Sequence, residues 1–207
     1  MPRLCSLLAW MVTLTSATST DWTTIRCPPP GSGINTLPTP TYGDEPGVFI
    51  VCTETHINAP ASAIYNALLD FQAYSTWSSF VIDIDPATPL EDVQLGLTMR
   101  FTTQGIVPGV NTTSIEIVTA MEDRWGDGYM LAAWRSDDEM GGTVLRAEHP
   151  TLMLDGGDGT VIAISWEIYY AGPGIPALLP LKENIQNMFE QQGLDLKAYV
   201  EGKVERA

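Results

Sequence analysis

The sequence predicts an α+β fold in which a curved antiparallel sheet wraps around one long C-terminal helix. The predicted elements run in the order strand, two short helices, six strands and a long helix. In the last strand, large apolar residues alternate with small or polar ones at a period of two, which predicts that one face of that strand is buried.

The first 19 residues have the features of a secretory signal peptide. Arg3 gives a positive start, an apolar run from Leu4 to Leu14 follows, and residues 17–19 are small, as at a cleavage site. This run is shorter than the roughly 20 apolar residues that cross a membrane, and no later segment reaches that length. We therefore expect a secreted protein, or one of the secretory-pathway lumen, without stable membrane insertion.

Residues 20–46 form an arm rich in proline and glycine rather than a domain. Once Cys5 is removed with the signal peptide, two cysteines remain, Cys27 in the arm and Cys52 in the first strand. An even pair in an oxidising compartment favours a disulfide between them. Asn111 begins an Asn-Thr-Thr triplet, so a glycoprotein is also expected.

The chain is strongly acidic, with a formal net charge of −15. Such a surface repels nucleic acid and anionic membranes. The acidity is also the ordinary composition of a soluble protein in an acidic medium, so it names no partner, and the sequence does not give the oligomeric state.

Residues 47–204 form the single predicted domain, which begins with a strand over 48–57. Pro60 then fits the first turn of a helix, where its missing N–H costs nothing, and apolar residues at helical spacing follow it. A second short helix is predicted up to Thr76. The turn signals that come next divide the chain into six further strands, over 80–84, 98–104, 113–121, 129–134, 143–154 and 160–170.

The C-terminal helix is predicted over 176–204. Its apolar residues recur at helical spacing and form one stripe that would face the sheet. That stripe contains Leu181, Ile185, Met188, Phe189, Leu196, Tyr199 and Val200.

The segment INAPASAIYNALLDFQAYSTWSSFV resembles the N-terminal signature of the SRPBCC superfamily, also called START-like or polyketide cyclase-like proteins. The matching residues are Ala59-Pro60, Asp70, Tyr74 and Trp77. FEQQGLDLKAYVE is similar to the last helix of that family, and VLRAEH and GTVIAISWEIYYAG are similar to its last two strands. The similarity extends from Val48 to Glu201.

This resemblance implies a helix-grip fold, in which a seven-stranded curved antiparallel sheet wraps around the long C-terminal helix and two short helices follow strand one. It also implies a deep apolar cavity between helix and sheet. Combined with the signal peptide, it predicts a secreted, fungal-type member. The family includes lipid carriers, hormone receptors, cyclases and hydrolase activators, so the fold alone does not name a function.

Neither a metal nor a cofactor is expected from the sequence. Its two histidines, His56 and His149, are far apart, and no His/Cys cluster has the spacing of a metal site. Gly31-Ser32-Gly33 lacks the third glycine of a nucleotide-binding loop, and no Gly-x-Ser-x-Gly nucleophile motif occurs.

Three polar residues near the predicted cavity are the catalytic candidates. Arg146 and Glu148 share one face of their strand, and Ala147 and His149 share the other. If Arg146 and Glu148 point into the cavity, burial could perturb a pKa and create an acid–base pair; if they point outwards, they form a solvated cross-strand pair. His149 titrates near neutrality when unperturbed, and it either faces the cavity or bonds to the backbone at its strand end.

Five residues are predicted to contact a ligand. Gln192 interrupts the apolar stripe between Met188 and Leu196 and could orient a ligand carbonyl. The other four would form apolar walls of a cavity of about 300 Å³ or more, with core packing as the alternative for the two tryptophans. They are Trp134, Ile164, Trp166 and Met188.

Two functions of different classes follow from this interpretation. In the first, the protein is a cofactor-independent cyclase or pericyclase, an enzyme of lyase or isomerase type in small-molecule biosynthesis. It would hold a hydrophobic polyketide- or terpenoid-like precursor in a reactive conformation, and a polar group would polarise a carbonyl. In the second, it is a non-catalytic secreted binder or carrier of lipids or hydrophobic metabolites, which needs the same cavity and no acid–base group.

Overall fold

The computed structural model of the protein describes residues 20–137 and 145–204. The predicted signal peptide, residues 1–19, lies outside these described residues. They contain a seven-stranded antiparallel sheet in the order β1-β7-β6-β5-β4-β3-β2. The strands are β1 (Phe49–Ile57), β2 (Val81–Asp85), β3 (Thr98–Val107), β4 (Val110–Arg124), β5 (Tyr129–Asp137), β6 (Arg146–Asp155) and β7 (Val161–Tyr169).

Within the described residues, three α-helices accompany the sheet: α1 (Ala61–Leu69), α2 (Ile175–Leu178) and α3 (Lys182–Val204). The second helix after β1 is a 3-10 helix over Phe71–Thr76. The C-terminal helix is not continuous from residue 176, because a 3-10 turn over Leu179–Leu181 separates α2 from α3. Pro180 lies in this turn and lacks the N–H of a regular α-helix, which explains the break. These elements confirm the predicted helix-grip fold class.

Helix α3 is fastened along the edge strand β1. The side-chain amide of Gln186 donates a hydrogen bond to the carbonyl of Cys52 (2.9 Å) and accepts one from its N–H (3.0 Å). Further along, Lys197 Nζ donates to the carbonyl of His56 at 2.6 Å. Between these points, a side chain at Gly193 would collide with Thr55, so glycine is required for the close approach.

The concave face of the sheet, which faces α3, carries the larger apolar core. Trp77 stacks on Tyr199 of α3 with ring centroids 5.9 Å apart, and this contact closes one end of the core. Other members come from the sheet and from α1, including Phe49, Val51, Ile64, Leu68, Phe101, Trp134, Ala163 and Phe189.

The convex face carries a second apolar core, which the N-terminal arm covers. Trp166 is fully buried in it, and Trp22 of the arm lies against Trp166 with ring centroids 6.4 Å apart. The Cys27–Cys52 disulfide is confirmed, with the two Cα atoms 5.6 Å apart, and it ties the arm to β1. Cys52 is the register partner of Trp166, so the bond lies beside the apolar surface that the arm covers.

Polar anchors at the other end of the arm hold it to β6. Glu148 is fully buried and accepts hydrogen bonds from the N–H and the hydroxyl of Thr41 (2.9 and 2.8 Å) and from the hydroxyl of Thr119 (2.6 Å). Arg146 donates to Glu45 at 2.6 Å. The guanidinium of Arg146 also lies over the ring of Tyr42, 5.1 Å from its centroid.

The prediction of which face of β7 meets α3 is wrong. The apolar series of Ile164, Trp166 and Ile168 was expected to face α3 and the cavity, but it packs under the arm on the convex face. Ser165 and Glu167 point to the concave side instead. Because the arm covers the convex face, both faces of β7 are largely buried, and the period of two could not tell which face meets the helix.

Candidate functional site

An internal cavity of about 170 Å³ lies between α3 and the concave face of the sheet. It is smaller than the 300 Å³ expected from the sequence, because large aromatic side chains fill part of the space. Its walls include Phe80, Phe101, Trp134, Ala147, Tyr169, Ile185 and Phe189.

The cavity opens where its lining residues are partly exposed. Ile106 comes from the end of β3, whereas Leu178 and Leu181 come from α2 and the turn before α3. Asn184, in the first turn of α3, donates its side-chain amide to the carbonyl of Ile106 at 3.0 Å. The partly exposed lining also includes Thr112, Thr113 and Ser114 of β4, so the mouth has a rim of apolar and hydroxyl side chains.

A carboxyl–phenol pair lies on the β7 side of the cavity. The hydroxyl of Tyr169 donates to Glu167 Oε2 at 2.6 Å. Burial raises the pKa of Glu167 to about 7, although the hydrogen bond from Tyr169 acts in the opposite direction. Burial, and then the negative charge of Glu167, raises the pKa of Tyr169 well above its ordinary value. Glu167 is therefore able to gain or lose a proton near neutral pH.

A second carboxyl, that of Glu116, lines the same cavity from β4. Its side chain is buried and accepts a hydrogen bond from the hydroxyl of Ser114 at 2.6 Å. Ser136, on β5 at the register position opposite Glu116, also lines the cavity. The acidic groups of the site thus come from two separate strands.

His149 lies in the cavity wall, which settles the side that it faces. Its Nε2 is 2.7 Å from the hydroxyl of Ser165, and its ring lies between those of Trp134 (5.0 Å) and Phe189 (4.6 Å). Burial lowers the pKa of His149 to about 3. The imidazole is therefore neutral near pH 7 and adds no positive charge to the site.

Gln192 enters the cavity from α3. The residue is only 7% exposed, and its amide makes no hydrogen bond to another residue within 20–137 or 145–204. This amide therefore offers two N–H donors and one carbonyl acceptor to whatever occupies the cavity.

The structure brings together three of the predicted site residues, His149, Trp134 and Gln192. It corrects the placement of two catalytic candidates, since Arg146 and Glu148 are on the convex face and anchor the arm. They are neither a solvated pair nor in the cavity, because the arm supplies partners for both of them.

Three ligand-contact predictions are also corrected. Ile164 and Trp166 lie in the core under the arm. Met188 faces an outer groove beside Gly105 and Gln191 rather than the cavity. Met188 belongs to the predicted apolar stripe of α3, but its neighbours in that stripe, Ile185 and Phe189, are the residues that point into the cavity.

Sequence reasoning missed Glu167, Tyr169 and Glu116. A glutamate on the polar face of an alternating strand normally indicates the solvent side. One signal pointed the other way: a disulfide from the arm to β1 places the arm over one face of the sheet. The face that it covers does not need α3 to bury it.

Among residues 20–137 and 145–204, no cluster of three or more His, Cys, Asp or Glu side chains could hold a metal ion. Within the same part of the chain, no helix has the length and apolar character needed to cross a membrane.

Comparison with known proteins gives similarity in structure and none in sequence. No family model matches the chain, and no curated protein matches it. A hypothetical protein, jhp0584 from Helicobacter pylori, matches with a TM-score of 0.59 and 18% identity over 89% of this chain and 99% of its own. A START superfamily protein from Mycobacterium smegmatis gives 0.52 and 15% over 74% and 97%.

A STAR-related lipid transfer protein from Xanthomonas axonopodis matches with a TM-score of 0.54 and 14% identity, over 72% of this chain and 84% of that one. At these identities the similarity concerns the fold. The chain thus has the helix-grip fold of START-like proteins, which supports the resemblance seen in its sequence motifs.

Proposed function

We propose that the protein binds a small, largely apolar molecule in the cavity between α3 and the sheet. The observation that carries this proposal is an aromatic-walled cavity that Gln192, a largely buried amide residue of α3, helps to line. An apolar cavity of about 150 Å³ holds a molecule of the size of benzene. The 170 Å³ here suits one ring-sized group, and the rest of a longer ligand would lie across the mouth.

Two of the structural matches support this proposal. One is described as a START superfamily protein and another as a lipid transfer protein. Both share the fold of this chain, with TM-scores of 0.52 and 0.54.

Displacement of an apolar fluorescent dye tests the binding function. The wild-type protein should bind the dye, and Ala147→Phe should remove binding, because Ala147 is fully buried in the cavity wall. Ala198→Phe is the matched control, since Ala198 is exposed on α3. If Ala147→Phe fails to fold, Ile106→Trp at the mouth should weaken binding at least about tenfold by blocking entry. Unchanged dye affinity in folded Ala147→Phe or Ile106→Trp would contradict the proposal.

A cofactor-independent cyclase or pericyclase of lyase or isomerase type is the second candidate, and Glu167 favours it. A carboxyl with a pKa of about 7, hydrogen-bonded to Tyr169, is suited to general acid–base catalysis near neutral pH. A hydrophobic polyketide- or terpenoid-like precursor is larger than the cavity, so only its reacting part would enter.

Incubation with linear precursors separates this candidate from simple binding. An enzyme should change the product ratio, and Glu167→Gln should lower the rate roughly 10²-fold while the precursor still binds. A product ratio equal to that without protein, at saturating protein, would leave only the binding function.

We also propose that the protein follows the secretory route. The Cys27–Cys52 disulfide is compatible with an oxidising compartment, and Asn111 is exposed near the start of β4, where a glycan would be accessible. Expression in a secreting host should give a mature N-terminus near Thr20 and a mass shift with glycosidase; retention of residues 1–19 would contradict this.

A further inference from the structure

We infer that the ligand of this cavity is a small organic cation, an ammonium ion attached to one ring-sized apolar group. The inference rests on the proposed binding function and adds the charge of the ligand to it. It is based on the ionisable groups, the aromatic walls and the amide that meet in the cavity.

The ionisable side chains of the cavity favour a positive ligand. Its described lining residues include two carboxyl groups, those of Glu116 and Glu167, and neither lysine nor arginine. His149 is the remaining basic side chain in the wall, and burial keeps it neutral. A fatty acid or another carboxylate would therefore lie next to Glu167, and no positive side chain in the described lining would pair with it, which is costly in a buried site.

Basic residues near this part of the fold are directed elsewhere. Lys182, at the start of α3, lies over the ring of Phe49 and is not part of the cavity lining. Arg146 is on the opposite face of the sheet and pairs with Glu45. The connection between β5 and β6, residues 138–144, contains no lysine or arginine in its sequence.

The walls of the cavity suit an organic cation. Tryptophan, tyrosine and phenylalanine rings attract a cation through their faces, and the attraction is stronger in a site that excludes water. Five aromatic residues, from β3, β5, β7, α3 and the segment before β2, surround the space: Phe80, Phe101, Trp134, Tyr169 and Phe189. Such rings also accept the apolar part of the same ligand.

Gln192 supplies the directional contact. The residue is 7% exposed, and its amide oxygen accepts no hydrogen bond from another described residue. An ammonium N–H would satisfy it. A carboxyl on one side and an amide oxygen on the other give an ammonium group two kinds of acceptor.

Protonation of Glu167 should be linked to binding. Glu167 shares the cavity with Tyr169 on its own strand, to which it is hydrogen-bonded, and with Glu116 from β4, neutral His149 from β6 and the amide of Gln192 from α3. None of them is positive, so the bound cation would be the counter-ion that Glu167 lacks. It would lower the pKa of Glu167, and binding near pH 7 would release protons.

The net charge of −15 also favours a cationic ligand, because an acidic protein surface concentrates cations around it and accelerates their association. The effect should weaken as salt is added.

Three ligands of nearly the same shape test the inference: benzylammonium, benzyl alcohol and benzoate, each titrated calorimetrically near neutral pH. We expect benzylammonium to bind at least about tenfold more tightly than benzyl alcohol, and benzoate to bind most weakly. Glu167→Gln should bring benzylammonium close to benzyl alcohol. Glu183→Gln, which removes the same charge from an exposed position on α3, should leave the order unchanged.

Phenyltrimethylammonium, whose charge does not titrate, tests the linkage to Glu167. Its affinity should rise between about pH 5.5 and about pH 8 in the wild type, by no more than tenfold per pH unit, and stay flat in Glu167→Gln. Equal or tighter binding of benzyl alcohol, or tightest binding of benzoate, would overturn the cationic ligand and leave the binding function standing. Failure of all three ligands and of the apolar dye would remove both proposals.

Discussion

Removing the disulfide should lower the stability of the protein, because the unfolded chain gains entropy when the arm is no longer tied to β1. The cavity should not change. The perturbation is the double substitution of Cys27 and Cys52 by serine. The two cysteines are 25 residues apart in the sequence, and closing a loop of this length lowers the entropy of the unfolded chain by an amount that corresponds to about 3.5 kcal/mol. The free energy of unfolding should fall by roughly this value.

The other arm contacts decide whether the arm stays in place without the bond. Glu148 holds Thr41 by two hydrogen bonds, and the bond between Cys27 N–H and Glu54 (2.6 Å) is independent of the sulfur atoms. We expect the arm to remain docked in the double variant, so the denaturant dependence of the free energy of unfolding should not fall. A smaller dependence would mean that the folded state already exposes the convex core.

Urea unfolding, followed by tryptophan fluorescence and by far-UV circular dichroism, measures both quantities. A reducing agent added to the wild type should reproduce the double variant, and the same agent added to the variant should have no effect. A loss of stability below about 0.5 kcal/mol, with both cysteines replaced and the fold intact, would refute the reasoning, because the loop-entropy argument requires several times that value.

Three further predictions concern the two faces of β7 and the buried titrating groups. Trp166→Ala and Trp134→Ala should each lower the free energy of unfolding by about 3–5 kcal/mol, yet only Trp134→Ala should change ligand affinity in the folded protein, as measured by dye titration; a large effect of Trp166→Ala on affinity would contradict its place under the arm. The pKa of His149 is about 3 in the folded protein and close to 6.5 when unfolded, so the unfolded state takes up the proton first as the pH falls. Stability should therefore decline between about pH 6.5 and pH 3, by up to about 4 kcal/mol, and His149→Gln should remove this decline in urea unfolding series; an unaltered decline would show that other groups cause it. For Glu167 the dependence of stability on pH has the opposite sign, because its pKa is about 7 in the folded protein and near 4.3 when unfolded. Its contribution to the free energy of unfolding is present at low pH and is lost as the pH rises through 7. Glu167→Gln should gain about 2–3 kcal/mol relative to the wild type between about pH 4.5 and pH 8, and an equal difference at both pH values would argue against a raised pKa.

The order of elements was predictable because each element has its own local signal. Pro60 marks the start of α1, and alternation in β7 and helical spacing in α3 indicate their types directly. The break before α3 had a signal too, Pro180, but proline is also common in the first turn of a helix. A boundary near a proline therefore depends on contacts further along the chain.

The site was less predictable, because it depends on which face of each strand meets α3. The period of two divides the side chains of β7 between the two faces of the sheet, but it does not tell which face meets α3. Here both sets are largely buried, Trp166 under the arm and Glu167 in the cavity. His149 and Arg146 are three residues apart and so lie on opposite faces. Placing one of them in the cavity removes the other, which the sequence alone could not decide.

The seam between α3 and β1 determines how the cavity can admit a longer molecule. The helix is held to β1 by contacts of Gln186, Gly193 and Lys197. At the mouth, among the described residues, the side-chain amide of Asn184 donates a hydrogen bond to the carbonyl of Ile106. Helix α3 is therefore held along β1, and the hydrogen bond from Asn184 keeps its first turns close to β3. A longer ligand would move these first turns away from β3, while the far end of the cavity would keep its width.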